Sequence, residues 1–230
     1  MLIFLHLAVL LSLLAPSLPF IQPPASRIPR PPSPLRSSDY DTTSAPVRSL
    51  VSSLTSLVNA LSRPSPPPPP STGPPLPPSA VLEGIRADYV ERLYLWTGDI
   101  DPDLYSPNCT FTDPTLSFTG LAKFQSNLAN LQPLLERFVK DPEVDLYSCE
   151  LSEDSRSVAA DWRMRADLNL PWRPAIDLNG TTTFRLLPPQ GEGGGRIEDY
   201  RERWGMGAGE ALLQIVTPGK WRGVEREGAE

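Results

Sequence analysis

Histidine is almost absent from this chain of 230 residues. The single one, His6, lies in an N-terminal apolar run that is expected to be removed. Without it, Ser-His-Asp and Cys-His catalysis are excluded, and so is every His-ligated metal site. Cysteine is scarce too. Cys109 and Cys149 are too few for a disulfide-rich scaffold or a four-cysteine zinc site. With no histidine base beside them, they read as small buried hydrophobes rather than nucleophiles. No metal or cofactor is expected. Basic charge is in deficit: 27 acidic against 21 basic residues give a net charge of −6. That disfavours a nucleic-acid binder, which grips phosphates mainly with Lys and Arg.

The first 80 residues lack more. They hold no Lys and no Glu, and their only aromatics are Phe4, Phe20 and Tyr40. They carry 19 of the 29 prolines, and five Arg against two Asp, a balance of +3; residues 81–230 carry −9. So few aromatics and so much Pro and Ser leave too little apolar surface to offset ordering entropy. Residues 1–79 are therefore expected to add nothing to the core.

Leu2 to Ala15 is apolar apart from His6 and Ser12. It is shorter than the roughly 20 residues of a membrane span and has the length of a signal-peptide core. Ala15-Pro16-Ser17 places small residues for cleavage before Leu18. The alternative is an uncleaved anchor. From Leu18 to Ser38 there are three Arg, four Ser and no acid, the composition of an organelle transit peptide. A signal peptide joined to a transit peptide resembles the bipartite leader of proteins imported into complex plastids, with Phe20 near the cleavage point. A plastid location is implied, with secretion or the endomembranes as the alternative. No membrane span is expected after processing.

Val47, Leu50, Val51, Leu54, Val58 and Leu61 step by three and four, a helical stripe in the arm that runs from 18 to 62. Residues 63–79 are a proline-rich spacer in extended polyproline form. The compact domain is placed at 80–217, and a flexible tail at 218–230.

Within that domain, Ser79 is expected to cap a helix from Ala80 to Trp96 that Gly98 ends. Asp101-Pro102 starts a short turn, and Cys109 to Asp113 alternates as a strand. Gly120 opens a second helix with an apolar stripe at Leu121, Phe124, Leu128, Leu131, Leu135 and Phe138. Pro133 is expected to break it near Leu131. Strands are predicted at 144–151, 157–170, 181–187 and 196–204, with a flexible hairpin loop at 188–195, and a last strand at 211–216. Helices first and neighbouring antiparallel strands afterwards argue an α+β fold.

Phe111-Thr-Asp-Pro114, Phe118-Thr-Gly120 opening a helix, and Gly195-Arg-Ile-Glu-Asp-Tyr-Arg-Glu-Arg-Trp204 carry a resemblance. Together with the element order, they resemble the nuclear-transport-factor-two-like (SnoaL-like) superfamily. The stretch Leu95 to Pro114 is more similar still to an uncharacterised plastid family with that fold. The resemblance covers about residues 82–217. It implies helices packed in the concave face of a strongly curved, mostly antiparallel sheet, around a cone-shaped pocket. It does not imply one activity, because isomerases, dehydratases, cyclases and pure binding modules share this fold.

Asp113 shares strand parity with Phe111, so a buried Phe111 turns Asp113 toward the pocket. A carboxylate there suits proton transfer, as in ketosteroid isomerase of this superfamily, which works with carboxylates and a tyrosine. Tyr105 and Tyr200 are the candidate tyrosines. The structural alternative is that Asp113 caps the turn at Pro114. On the strand 196–204, Glu198, Tyr200, Glu202 and Trp204 share a face, which would carry Glu198 or Glu202 toward the pocket mouth. The expected apolar lining is Tyr89, Trp96, Phe111, Trp162, Phe184 and Trp204. Asn108-Cys-Thr110 and Asn179-Gly-Thr181 match the N-glycosylation acceptor. Two functions follow. One is a module binding a small apolar ligand or a protein, with a homodimer through the outer sheet face left open. The other is a histidine-free isomerase or dehydratase using Asp113 with Tyr105 or Tyr200.

Overall fold

A computed structural model describes residues 40–49, 52, 74–187 and 195–219. The leader, most of the arm and proline run, the 188–194 loop and the 220–230 tail lie outside the described residues. The elements in order are α1 (Pro78–Val90), α2 (Tyr94–Thr97), a 3-10 turn (Pro102–Leu104), β1 (Tyr105–Thr112) and β2 (Ser117–Thr119). Then come α3 (Leu121–Phe138), β3 (Val139–Leu151), β4 (Ser157–Leu168), β5 (Ala175–Leu186), β6 (Ile197–Trp204) and α4 (Ala208–Val216).

Six strands form one open sheet in the order β2-β1-β6-β5-β4-β3. Every pairing is antiparallel except β1 with β6, which is parallel. β4 shows why one face is buried. Val158, Ala160, Trp162, Met164, Ala166 and Leu168 alternate with polar residues, and each is buried. Their face packs against α1 and α3. The opposite face carries charges in pairs. Arg163 makes a bidentate contact with Asp177, both bonds at 2.7 Å, and Arg165 reaches Asp145 at 2.6 Å and Glu143 at 3.0 Å.

The expected helix from Ala80 to Trp96 is two helices. α1 begins one residue before Ser79, with Pro78 at its first position and Pro77 as N-cap. It closes where the N–H groups of Glu91 and Arg92 both donate to the carbonyl of Ala87. Leu93 then takes a left-handed conformation, φ 49°, which turns Tyr94, Leu95 and Trp96 into the core. Gly98, φ 72°, ends α2. Pro133 does not break α3. It and Ala129, whose carbonyl loses its i+4 donor, are both exposed, so the lost bond is left open to solvent. β5 begins six residues before its predicted start, because Ile176 and Leu178 extend the buried alternation through Gly180. β1 likewise begins four residues early and ends at Thr112, leaving Asp113 just beyond it. β3 starts at Val139, with Pro142 tolerated on an edge strand.

Residues 211–216 are helical, not a strand. Ala208, Ala211, Leu212 and Ile215 are the buried face of α4, at helical spacing. The helix docks where β6 stops. Trp204 is the last β6 residue paired with β5, opposite Gly180, so the start of β5 runs past it. There Gln214 accepts from the Asp177 N–H at 3.0 Å and donates to the Asp177 carbonyl at 2.9 Å, as a neighbouring strand would. Gln214→Leu should therefore cost about 2 kcal/mol in urea unfolding, since it strands two backbone groups. A loss below about 0.5 kcal/mol would show that water satisfies that edge instead.

Residues before Ala80 do contribute to packing. Leu76 bridges Gly195, and Leu76 and Val47 are half-buried against the core.

Candidate functional site

β6 lies between β1 and β5, and side chains from the helices, Tyr94 of α2 and Phe124 of α3, cover its inner face. Tyr200, Glu202 and Trp204 alternate onto that face and are buried, while Arg201 and Arg203 point out. A glutamate in such a place needs donors. The Tyr200 hydroxyl donates to Oε2 of Glu202, and the Trp204 indole N–H donates to Oε1, each at 2.5 Å. The Tyr94 and Tyr200 hydroxyls lie 3.2 Å apart. Tyr200 has one proton and gives it to Glu202, so Tyr94 is the donor in that contact.

A second node completes the floor. Thr182, the cross-strand partner of Glu202, accepts from the Tyr89 hydroxyl at 2.9 Å and the Trp162 indole at 2.8 Å. Tyr89 meets Tyr94 edge to face, with ring centroids 4.8 Å apart. Burial pushes the phenols of Tyr89, Tyr94 and Tyr200 well above their ordinary pKa, and for Tyr200 the charge of Glu202 adds to it. All three remain protonated at neutral pH.

The parallel register aligns Phe111 with Tyr200 and Thr112 with Arg201, which sets Asp113 beside Glu202. Asp113 is both a cap and a wall. Its Oδ1 accepts from the N–H of Thr115 at 2.8 Å, from the N–H of Leu116 at 2.9 Å and from the Thr115 hydroxyl. It also lines a cavity with Tyr94, Tyr200 and Glu202, walled by Phe111, Phe118 and Phe124. The cavity measures about 20 Å³, room for one water. Phe111 stacks on Phe124 with centroids 4.0 Å apart and on Phe118 at 5.8 Å, so the protein's own rings crowd the cavity.

Other residues singled out from the sequence lie elsewhere. Tyr105 packs on Phe111 with centroids 5.7 Å apart, and burial, then the charge of Asp88, raises its pKa well above the ordinary value. The tyrosine that meets a carboxylate is thus Tyr200, and the carboxylate is Glu202. Glu198 does not share the Tyr200 face, because the β5–β6 register shifts between Arg185 and Leu186. It is part-exposed and lies 3.5 Å from Arg185. Trp96 donates its indole to the Glu143 carbonyl at 3.0 Å and borders a separate groove. Tyr89, Trp162, Phe184 and Trp204 are core residues around the floor. Burial pushes both cysteine thiols up, as suits buried hydrophobes.

Sequence reasoning missed Tyr94 and Asp88. Asp88 is buried, accepts from the Asp101 N–H at 3.1 and 3.3 Å, and lies 3.3 Å from Arg92. The signal was an acid set between Ile85 and Tyr89 on the apolar stripe of α1.

The sheet order, the single parallel pairing and the helices on the inner face make this an α+β fold built on one open, mostly antiparallel sheet. Residues 79–190 match a family model described as "Uncharacterized conserved protein (DUF2358)". No curated protein matches the chain in sequence. Among solved structures it is similar to SalBIII, an epoxide hydrolase/cyclase-like enzyme with a role in pyran ring formation in the polyether salinomycin. The identity is 21%, the TM-score 0.40, and the match covers 56% of this chain and 93% of that one. It is also similar to a SnoaL-like protein from Jannaschia sp. CCS1, at 15% identity and TM-score 0.42, covering 62% and 94%. A phenazine biosynthesis-related protein from Pseudomonas aeruginosa matches at 15% identity and TM-score 0.31, covering 66% and 98%.

Proposed function

We propose that this protein binds a small ligand on the inner face of its sheet. Glu202, Tyr200 and Tyr94 read a polar group, and Phe111, Phe118 and Phe124 hold an apolar stem. The buried Glu202 carries this reading. A buried ion network is often less stabilising than an apolar core of the same volume. A carboxylate held by Tyr200 and Trp204 beside a cavity supports a binding site there. The aromatic lid must shift to admit anything larger than water.

The test is a titration of labelled protein with 1-propanol and with propylammonium, following the tyrosine ring resonances. A shift of Tyr94 and Tyr200 by either probe, reduced in Phe124→Trp, supports the reading. If both probes leave those rings unmoved, the cavity is structural.

The same contact favours a second reading. A tyrosine 2.5 Å from a buried carboxylate is an acid–base pair suited to an isomerase or dehydratase. In that reading Asp113 is the neighbouring carboxylate, and Tyr105 has no part.

Two proposals accompany the function. Import into a plastid is supported by the acid-free Arg and Ser stretch behind the apolar run. Residues 1–80 fused to a fluorescent protein should label the plastid, and signal confined to the medium or endomembranes would overturn it. A second copy docking on the outer sheet face would meet the paired charges there, so its association should weaken with added salt in light scattering.

A further inference from the structure

We propose that Asn108 is a site of N-linked glycosylation, modified while the chain passes through the endomembrane lumen. The inference lies outside the ligand-binding reading. It rests instead on the reading of Leu2 to Ala15 as a signal peptide, which brings the chain into that compartment.

Asn108-Cys109-Thr110 carries the acceptor pattern, an asparagine with a hydroxyl residue two positions on. Its place in the fold sets it apart from a chance match. β1 takes five steps from Tyr105 to Thr110 while its parallel partner β6 takes two, from Ile197 to Asp199. Three residues of β1 are therefore surplus and bulge out of the ladder. Asn108 stands on that bulge, in register with no residue of β2 or β6. Pro107 and Asn108 are both exposed, whereas Cys109 turns inward and is fully buried. The Asn108 N–H donates to the Ser106 hydroxyl at 3.4 Å, and its carboxamide makes no hydrogen bond among the described residues. A glycan on Nδ2 there breaks no bond, opens no core contact and projects into water, as a bulky hydrophilic group must.

Asn179-Gly180-Thr181 has the same pattern in a different setting. Asn179 is in register with Arg163 of β4, and its carbonyl accepts from the Gly205 N–H at 2.9 Å. Its carboxamide lies so close over Gly205 that a Cβ added there would be 2.7 Å from Nδ2. The Thr181 hydroxyl donates to Asp161 at 2.6 Å. A sugar on Nδ2 of Asn179 would have to lift that side chain off the backbone of Gly205. Asn108 is the acceptor whose glycan the folded domain accommodates without rearrangement.

The co-reactant is an oligosaccharide carried on a lipid pyrophosphate. A bond forms between Nδ2 of Asn108 and C1 of the first sugar. The bond from C1 to the pyrophosphate oxygen breaks, the lipid pyrophosphate leaves with the electron pair, and one amide proton is lost to solvent.

The experiment expresses the full chain in a eukaryotic cell line. It is expressed once with its own residues 1–17 and once with these replaced by the signal peptide of a secreted protein. Protease protection of isolated microsomes checks that the second form has entered the lumen. Immunoblots before and after treatment with the amidase that releases N-glycans read the modification. Peptide mass spectrometry reads the aspartate that the amidase leaves at position 108. Behind both leaders the chain should carry one glycan. Asn108→Gln should abolish it, and so should Thr110→Ala, which leaves the asparagine in place. Thr110→Ser should keep it, and Asn179→Gln should leave it unchanged.

A glycan behind the substituted signal peptide alone would overturn the proposal through its route, because the chain's own N-terminus then does not reach the lumen. No glycan behind either leader would overturn it at the site itself. A glycan that survives Asn108→Gln and disappears in Asn179→Gln would overturn the assignment to β1.

Discussion

Between pH 4 and pH 7 the protein should lose stability as the pH rises, and Asp88→Asn should remove most of that loss. Asp88 sits in the last turn of α1, 2% exposed. Burial pushes its carboxyl up to about 7, against the pull of the Asp101 N–H and of Arg92; Asp101 and Asp99 add smaller upward pushes. Unfolded, the same group titrates near 3.8. Between those values the folded protein holds a proton that the unfolded chain has released, so raising the pH favours unfolding. The contribution is complete below about pH 4 and lost as the pH passes 7. At 1.36 kcal/mol per pH unit, the difference amounts to about 4 kcal/mol at most. Asp154, lowered by its bonds to Ser152 and Arg156, contributes with the opposite sign. The decisive quantity is therefore the difference between wild type and Asp88→Asn in urea unfolding across that range. Asn keeps an oxygen for the Asp101 N–H, so the α1–α2 corner should stay in place. Parallel pH profiles for the two proteins would show that Arg92 and the Asp101 amide hold Asp88 charged.

The parts of this fold that were legible in the sequence are those where one local signal had one structural meaning. The alternation from Val158 to Leu168 gave a strand with a buried and a wet face, because β4 is flanked by strands along its whole length. Gly98 marked a helix end, because φ 72° is open to glycine at little cost. Where the signal had two meanings, only tertiary context decided. Ala211 to Val216 is a short apolar run that suits a strand or a buried helix. Its place beyond the end of β6, where Gln214 meets the free edge at Asp177, selects the helix. Asn179-Gly180, which stood ahead of the strand predicted at 181–187, is the middle of β5. The candidate site divides the same way. Tyr200, Glu202 and Trp204 followed from parity, while Glu198 did not, because a register shift in the β5–β6 ladder lies between them. Tyr94 was hidden behind the left-handed turn at Leu93. How far the cavity is filled depends on rings from β1, β2, α3 and β6 meeting, which no single stretch of sequence encodes.

Gly180→Ala should be among the most damaging single methyl additions in the domain, costing about 3 kcal/mol. In most strands the exchange stabilises slightly, because alanine narrows the unfolded ensemble. Here the ladder pairs Gly180 with Trp162 on one side and Trp204 on the other. A Cβ at this position would lie 2.5 Å from the Arg203 carbonyl oxygen and 2.6 Å from the Trp162 ring. Neither neighbour can yield cheaply. The carbonyl is backbone within the β5–β6 ladder, and the indole is held by its bond to Thr182 at 2.8 Å. Displacing it would pull on Tyr89, which donates to the same oxygen, and so on the floor beneath Glu202. Gly180→Ala should therefore lower stability and broaden the Tyr94 and Tyr200 ring signals together. Gly209→Ala, in α4 where an added methyl meets nothing within 4 Å, is the matched control. It should raise stability by about 0.5–1 kcal/mol through helix propensity. Opposite signs for the two exchanges in urea unfolding are the expected outcome. If Gly180→Ala proves neutral, the two indoles do not depend on a bare backbone at the centre of the sheet.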